Sequence, residues 1–217
     1  MTDTTQPDRC RLVLIVPAGT ARDRIEAALG AGDVASVILT GQGLDDDSFQ
    51  AFAEMVVPLA QEKGVAVVIA GDSRVAGRVH ADGLHVDGGK ADLADAIDRL
   101  QERMMVGAGG VKTRDDALDL GEQRPDYIFF GKFGYDTQPE PHPRNLGLGR
   151  WWAEMIEIPC IVMGGADIAS AVAVAETGAE FVALSTAVFA EGVDAAGAVA
   201  EANRLLDEKA PRFEAAK

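Results

Sequence analysis

The sequence predicts a single (β/α)8 barrel, and three observations support this fold class. Eight short apolar runs alternate with amphipathic stretches along the chain. The runs are continuously apolar, which is typical of parallel strands covered on both faces. The 217 residues are close to the lower size limit of such a barrel, and no linker or composition break divides them. An open doubly wound parallel sheet is the alternative fold with the same alternation.

The first half of the chain predicts four strand–helix pairs. The strands are expected at residues 12–16, 34–39, 65–69 and 83–86, and the β-branched residues of the first run suit a sheet covered on both faces. Helices are expected at 21–30, 47–63, 73–80 and 91–102. Asp47 and Ser48 indicate the start of the second helix, and Gly64 indicates its end. The run 45–47 is therefore interpreted as helix capping and macrodipole compensation rather than as a metal cluster.

The second half predicts four more pairs. Strands are expected at 104–107, 127–131, 160–163 and 181–184. The first helix follows Thr113, and the second contains Trp151 and Trp152 after a long loop. A third helix is expected at 168–177, and the last ends near Lys209. Residues 1–9 are polar, lack the apolar core of a signal peptide and are expected to form a disordered tail.

The composition excludes several classes of partner. A net charge of −15 disfavours nucleic acids and anionic membranes, because both would repel most of the surface. No apolar run approaches the ~18 residues of a membrane span, so a cytoplasmic protein is expected. Cys10 and Cys160 lie beside or within apolar strands, which favours buried free thiols over a disulfide.

A phosphate-binding signal follows the last two strands. Gly164 and Gly165 come directly after the seventh strand, where missing Cβ atoms let backbone N–H groups approach an anion. Ser185 and Thr186 follow the eighth strand and precede a short helix, so hydroxyls and amides are available there. Barrels frequently bind phosphate at these loops. The alternative interpretation is an ordinary turn and a helix cap.

At these residues the sequence resembles the thiamine-phosphate synthase family, which includes related thiazole tautomerases. The resemblance covers about residues 65–189 and rests on the segments 81–86, 125–131, 147–148, 158–165 and 177–185. Synthases of this family join an aminomethylpyrimidine diphosphate to a thiazole phosphate and release diphosphate with magnesium present. The resemblance implies that Gly164, Gly165, Ser185 and Thr186 hold the thiazole-side phosphate, so a phosphorylated small molecule is the expected ligand.

The sequence departs from the family pattern on the diphosphate side. Asp72 is the remaining candidate ligand for Mg²⁺, while the second metal aspartate of the family is replaced by Lys90. Asp87 lies nearby at a different spacing. The family serine after the fifth strand falls within 108–110, which contains no hydroxyl, and residues 132–139 replace the loop that carries the diphosphate-binding lysine. Lys132, Lys112 or Arg144 are candidates to supply the missing positive charge.

Lys132 is the candidate catalytic residue. It matches the position of the histidine that transfers a proton in the related tautomerases. A desolvated lysine can act as a base or form a Schiff base with a carbonyl. The alternative interpretation is a cation that binds a phosphate or carboxylate of the substrate.

Four further side chains are candidate substrate contacts: His85, Lys112, His142 and Arg144. His85 lies in the fourth strand, where a structural hydrogen bond is the alternative role. His142 and Arg144 belong to a long proline-rich loop, and such loops are often lids over the mouth of a barrel.

The expected function is therefore that of a divergent thiamine-phosphate-synthase-like enzyme acting on a phosphorylated thiazole or a similar heterocycle. Two alternatives remain open from the sequence: an isomerase that uses Lys132, or a phosphate-ligand-binding barrel without turnover. A different phosphate-binding barrel, such as an epimerase or an indole-pathway enzyme, fits the quoted segments less well. Barrels of this size often dimerise, and a homodimer is the expected assembly.

Overall fold

The strands form a closed, all-parallel barrel. A computed structural model describes residues 7–213 of the chain. Neighbouring strands pair in sequence order from β1 to β8, and β8 pairs back with β1. This closure confirms the predicted (β/α)8 barrel and is inconsistent with an open sheet. The strands are β1 (Arg11–Val16), β2 (Val34–Leu39), β3 (Ala66–Ala70), β4 (Gly83–Val86), β5 (Met105–Ala108), β6 (Tyr127–Phe130), β7 (Cys160–Met163) and β8 (Phe181–Leu184).

Helices follow every strand and surround the barrel. The helix α2 is capped by Asp45, whose carboxylate accepts from the Ser48 amide at 2.8 Å, as the sequence predicts. After β8 the chain forms two helices, and the first is a single short turn. The helices are α1 (Arg22–Leu29), α2 (Asp46–Gln61), α3 (Ser73–Arg78), α4 (Lys90–Leu100), α5 (Arg114–Gly121), α6 (Pro143–Met155), α7 (Ser170–Ala175), α8 (Thr186–Phe189) and α9 (Ala195–Lys209).

The continuous apolar runs are explained by two hydrophobic clusters, one on each face of the sheet. In β1, Val13 and Ile15 belong to the cluster inside the barrel, whereas Leu12, Leu14 and Val16 pack under the helices. Successive side chains of a strand point to opposite faces, so both sets must be apolar. The cluster inside the barrel includes the aromatic residues Tyr127, Phe129 and Phe133.

The first described residues are held by α9 and by the residues that follow it. Arg9 is 2% exposed, and its Nε donates to Asp207 Oδ1 at 2.7 Å. Arg9 also forms an isolated antiparallel bridge with Arg212. The expected disordered tail of residues 1–9 is thus wrong for Arg9, because its guanidinium finds buried hydrogen-bond partners. Residues 1–6 lie outside the described range.

Both cysteines are free and buried, as predicted from their apolar surroundings. Burial raises the pKa of the Cys10 thiol from 9.0 to about 12, and burial also raises the pKa of Cys160. A buried neutral thiol is a poor nucleophile, so we assign these residues a packing role. Within residues 7–213, no helix combines the length and apolar character needed to cross a membrane.

Candidate functional site

A cavity lies at the carboxyl end of the barrel, beside β7. Its volume is about 540 Å³. The loop between β6 and α6, called here the β6–α6 loop (residues 131–142), forms one wall, and the first turn of α6 forms another. The lining includes Lys132, Asp136, His142, Arg144 and Gly164. Three predicted candidates are thus brought together against the end of β7: Lys132 and His142 from the two ends of the loop, and Arg144, expected in the loop, from the first turn of α6.

The four predicted phosphate-binding residues lie together where β7 and β8 end. The Gly164 amide donates to Ala183 O at 2.9 Å, and this hydrogen bond joins the two segments. The Gly165 amide donates to Ser170 Oγ at 2.9 Å. Ser185 is buried at the start of α8, where its side chain makes no capping hydrogen bond. The Thr186 amide donates to Asp136 Oδ2 at 2.6 Å. The structure therefore brings the four residues together, and acceptors of the chain itself lie on the amides of Gly164, Gly165 and Thr186.

The β6–α6 loop lies directly on the glycine pair. Gln138 O accepts from the Ala166 amide at 2.7 Å, and Pro139 O accepts from the Asp167 amide at 3.2 Å. A Cβ atom added to Gly165 would overlap Pro139 O. Glycine at position 165 therefore allows the loop to approach the end of β7 closely, a role that the sequence alone did not indicate.

Lys132 is exposed rather than desolvated. Its Nζ lies 4.0 Å from the centroid of the Tyr135 ring, over the ring face. The adjacent Lys132 ammonium lowers the pKa of the Tyr135 hydroxyl. The apolar environment expected for a Schiff-base or general-base lysine is not formed around this side chain. The arrangement favours the alternative role of Lys132 as a cation facing the cavity.

The remaining basic candidates divide between cavity and surface. His142 is the N-cap of α6, and its Nδ1 accepts from the Arg144 amide at 3.2 Å. Both residues are exposed and line the cavity beside β7. Lys112 instead lies before α5, where its amide donates to Asp116 Oδ2, and it lines neither of the two cavities at the barrel mouth.

The second cavity at this end of the barrel lies over β2, β3 and β4 and is acidic. Its volume is about 390 Å³, and its aromatic walls are Phe49 and Phe133. The carboxylates in its lining belong to Asp45, Asp46, Asp72 and Asp87.

Asp72 is the N-cap of α3, where its Oδ1 accepts from the amides of Arg74 and Val75. Desolvation opposes ionisation of this carboxyl, but the Val75 and Arg74 hydrogen bonds outweigh it and lower the pKa of Asp72. Across the described part of the chain, no three Asp, Glu, His or Cys side chains gather in an arrangement that can hold a metal ion. The residues as arranged therefore do not fit a protein-built Mg²⁺ site.

Comparison with known proteins identifies the family. The model of the family described as thiamine monophosphate synthase matches residues 12–188. This chain belongs to that family. The thiamine-phosphate synthase of Hyphomonas neptunium is 33% identical to it, over 97% of this chain and 100% of the relative. The enzyme of the same name from Rhodospirillum centenum is 32% identical over 91% and 98% of the two chains.

Solved structures agree with the fold of this thiamine-monophosphate-synthase family member. Thiamine phosphate pyrophosphorylase from Pyrococcus furiosus superposes with a TM-score of 0.77 at 21% identity, covering 93% of this chain and 97% of the other. A geranylgeranylglyceryl phosphate synthase from Thermoplasma acidophilum, in complex with sn-glycerol-1-phosphate, gives a TM-score of 0.66 at 18% identity over 92% and 94%. At these identities the similarity concerns the barrel alone.

In this family member His85 does not reach either cavity. Its side chain is fully buried and lines neither cavity, so the predicted substrate contact of His85 is not formed by this arrangement and stays a prediction. Its Nδ1 lies 2.9 Å from Tyr127 Oη, and its Nε2 lies 3.2 Å from Asp87 Oδ1. Packing against Phe129 and Phe133 completes its surroundings. The predicted alternative, a hydrogen-bonded structural histidine, describes these contacts.

Asp87 connects the buried His85 to the acidic cavity, because it contacts His85 and lines that cavity. The Asp87 side chain is 52% exposed and lines that cavity. Desolvation raises the pKa of this carboxyl, but the His85 hydrogen bond and the charge of Lys132 outweigh it and leave the pKa of Asp87 lowered. A Cβ atom added to Gly109 would overlap both Asp87 Oδ1 and His85 Nε2. A serine side chain at position 109 would overlap the His85–Asp87 pair, which explains why the chain has glycine there.

Asp136 is the site residue that the sequence did not single out. It stands in the loop that replaces the lysine-bearing loop of the family, and only the fold shows its contact with Thr186, 50 residues away. A single aspartate within a polar loop sequence is expected to be exposed to solvent. In the structure, however, Asp136 is 4% exposed.

Proposed function

We propose that this chain is a thiamine-phosphate synthase that binds a phosphorylated thiazole beside β7 and β8 and joins it to a pyrimidine diphosphate. Family membership supports this proposal, as does similarity to named synthases over the whole length of the Hyphomonas relative. Assembly as a homodimer and a cytoplasmic location stay predictions from the sequence.

The observation that carries the proposal is the composition of the cavity beside β7. Lys132, His142 and Arg144 line this cavity of about 540 Å³ beside Gly164, together with the carboxylates of Asp136 and Glu140, in a chain whose net charge is −15. Basic groups and backbone amides near a cavity that can hold a small molecule are suited to a phosphorylated ligand. The rest of the surface, being largely acidic, would repel such a ligand.

The joining reaction needs cations more than it needs a base. The thiazole nitrogen forms a bond to the methylene carbon of the pyrimidine, and the bond from that carbon to the diphosphate oxygen breaks. The leaving group carries away the bonding electron pair, and no proton is transferred in this step. An exposed cation such as Lys132 can stabilise the negative charge that develops on the diphosphate. We therefore assign Lys132 and Arg144 to anion binding.

A titration followed by an assay tests the proposal. The purified protein is titrated calorimetrically with hydroxyethylthiazole phosphate, and unphosphorylated hydroxyethylthiazole is the matched ligand. The pyrimidine diphosphate is then added with and without Mg²⁺, and thiamine phosphate is measured. We expect binding that requires the phosphate group, followed by formation of thiamine phosphate. Binding without product would exclude the synthase and leave an isomerase or a binding protein; absence of binding would reject the ligand.

Arg144→Gln and Arg150→Gln form a matched pair of variants on α6. Both arginines are exposed, but only Arg144 lines the cavity. If Arg144 holds a ligand phosphate, R144Q weakens binding by about tenfold, as expected for one charge-assisted hydrogen bond. R150Q is expected to bind like the unaltered protein. If R144Q and R150Q weaken ligand binding equally, Arg144 contributes only its charge at a distance and makes no direct contact with the phosphate.

A further inference from the structure

The Thr186 amide is occupied by a carboxylate of the chain itself. Asp136 Oδ2 accepts from this N–H at 2.6 Å, at the first residue of α8. The Asp136 side chain is almost fully buried, and its Oδ1 has no hydrogen-bond partner within residues 7–213. A buried carboxylate oxygen without a partner costs free energy. The contact therefore combines one strong hydrogen bond with one unsatisfied acceptor.

The helix α8 is anchored independently of Asp136. The guanidinium of Arg24, on α1, donates to Phe189 O, Ala190 O and Val193 O at 3.0–3.2 Å. These hydrogen bonds satisfy carbonyls at the C-terminal end of α8 and place a positive charge there. Removing the Asp136 carboxylate should consequently release the β6–α6 loop without displacing α8.

The loop presents its own acceptors to both predicted phosphate-binding segments. Gln138 O and Pro139 O accept from amides that follow the glycine pair of β7, while Asp136 accepts from the amide that follows β8. The loop itself is mostly exposed between residues 137 and 140. A segment with few buried apolar contacts opens at low cost in free energy.

We propose that Asp136 is an internal anion that competes with the ligand's phosphate for the Thr186 amide. A phosphate group and the Asp136 carboxylate cannot both accept from the Thr186 N–H. If both lay next to this amide, their negative charges would repel each other. Binding of a phosphorylated ligand therefore requires that the β6–α6 loop release Asp136. The inference rests on the proposed function for the organic part of the ligand, but the competition itself concerns the phosphate group alone.

Hydrogen exchange without ligand tests the contact. Asp136→Ala, and Asp136→Asn as the variant closer in shape, are compared with the unaltered chain. We expect the Thr186 and Ala166 amides to exchange at least about tenfold faster in D136A, since the loop that covers them is released. The increase should be smaller in D136N, because the Asn side-chain oxygen can still accept from the Thr186 amide. The Phe189 amide, which donates to Ser185 O within α8, should keep its rate. Unchanged exchange at Thr186 would overturn the proposed closure.

Inorganic phosphate, the probe for the competition, is titrated into the same proteins. D136A and D136N are expected to bind phosphate about tenfold more tightly than the unaltered chain, because no internal anion has to be displaced. Glu140→Gln is the matched control, since Glu140 is an exposed carboxylate of the same loop and lines the same cavity. It removes the same charge without freeing Thr186, and we expect a change below about threefold.

The outcomes separate this inference from the proposed function. Tighter phosphate binding in D136A, together with no response to the thiazole phosphate, would support the competition and reject the proposed ligand. Equal or weaker phosphate binding in D136A and D136N would overturn the competition, even if thiamine phosphate is formed. An equally large gain in E140Q would also overturn it, since the effect would then be one of total charge.

Discussion

Gly109 shows how the absence of one Cβ atom shapes the acidic cavity. His85 is buried between aromatic rings, and its Nε2 reaches Asp87 Oδ1 across the space beside Gly109. Any side chain at position 109 would enter that space. The glycine therefore allows a fully buried histidine to orient a carboxylate that is exposed at the barrel mouth.

Gly109→Ala should accordingly destabilise the protein. The new methyl group overlaps the His85–Asp87 hydrogen bond, so at least one of these side chains must move. We expect a loss of about 1–3 kcal/mol in the free energy of unfolding, measured by urea titration. Gly77→Ala is the matched control, because nothing lies within 4 Å of its added Cβ in α3. That change should be neutral or stabilise by up to about 1 kcal/mol; a similar loss in both variants would contradict the steric argument.

At the scale of the elements, three acidic residues join neighbouring strands at the amino end of the barrel. Asp82, Asp126 and Glu180 each directly precede an even-numbered strand. Their carboxylates accept from the amides of Val67, Val106 and Cys160, in the preceding strands, at 2.7–2.9 Å. In barrels this end contributes stability, whereas the opposite end carries the chemistry. These acids belong to segments that carry the family resemblance, and their contacts give them a structural role.

Removing one of these carboxylates should be costly. Asp126→Ala leaves the Val106 amide without its acceptor, and Gln101 also loses a hydrogen bond at 3.2 Å. We expect a loss of about 1–3 kcal/mol in the free energy of unfolding. Asp98→Ala, at an exposed position of α4, should change it by less than about 0.5 kcal/mol. Chemical denaturation of both variants provides the comparison, and equal stabilities would refute the structural role.

Sequence reasoning identified every strand because the barrel demands apolar residues on both faces of each one. Strand ends were less certain. Val65, expected in a strand, donates instead to Ala60 O and closes α2, so β3 begins one residue later. At the candidate site, the position of the glycine pair and of the hydroxyl residues after β7 and β8 could be predicted, while their binding of phosphate stays a proposal. The contact of Asp136 with Thr186 and the exposure of Lys132 depend on how a long loop folds back, which no local pattern encodes.

At the scale of the whole molecule, the barrel buries several acidic groups in their neutral form. Desolvation raises the pKa of Tyr127, and the same cause raises the pKa values of both cysteines. These side chains come from β6, from β7 and from the residue that precedes β1, so they lie on one side of the closed barrel. A group that stays protonated in the folded state but ionises in the unfolded chain makes folding depend on pH.

Alkaline conditions should therefore weaken the fold through these groups. The pKa of Cys10 is 9.0 without burial and about 12 in the folded protein. Between these two values the unfolded chain binds fewer protons than the folded one, so stability falls as the pH rises. The slope for one such group is about 1.4 kcal/mol per pH unit. Cys10→Ala should remove roughly that slope from the free energy of unfolding between pH 9 and pH 12, measured by urea titration at several pH values. Replacing Cys10 by the smaller alanine also lowers the free energy of unfolding by an amount that does not depend on pH. This loss therefore does not affect the slope with pH. Identical slopes in the two proteins would show that Cys10 ionises as readily in the folded barrel as in the unfolded chain.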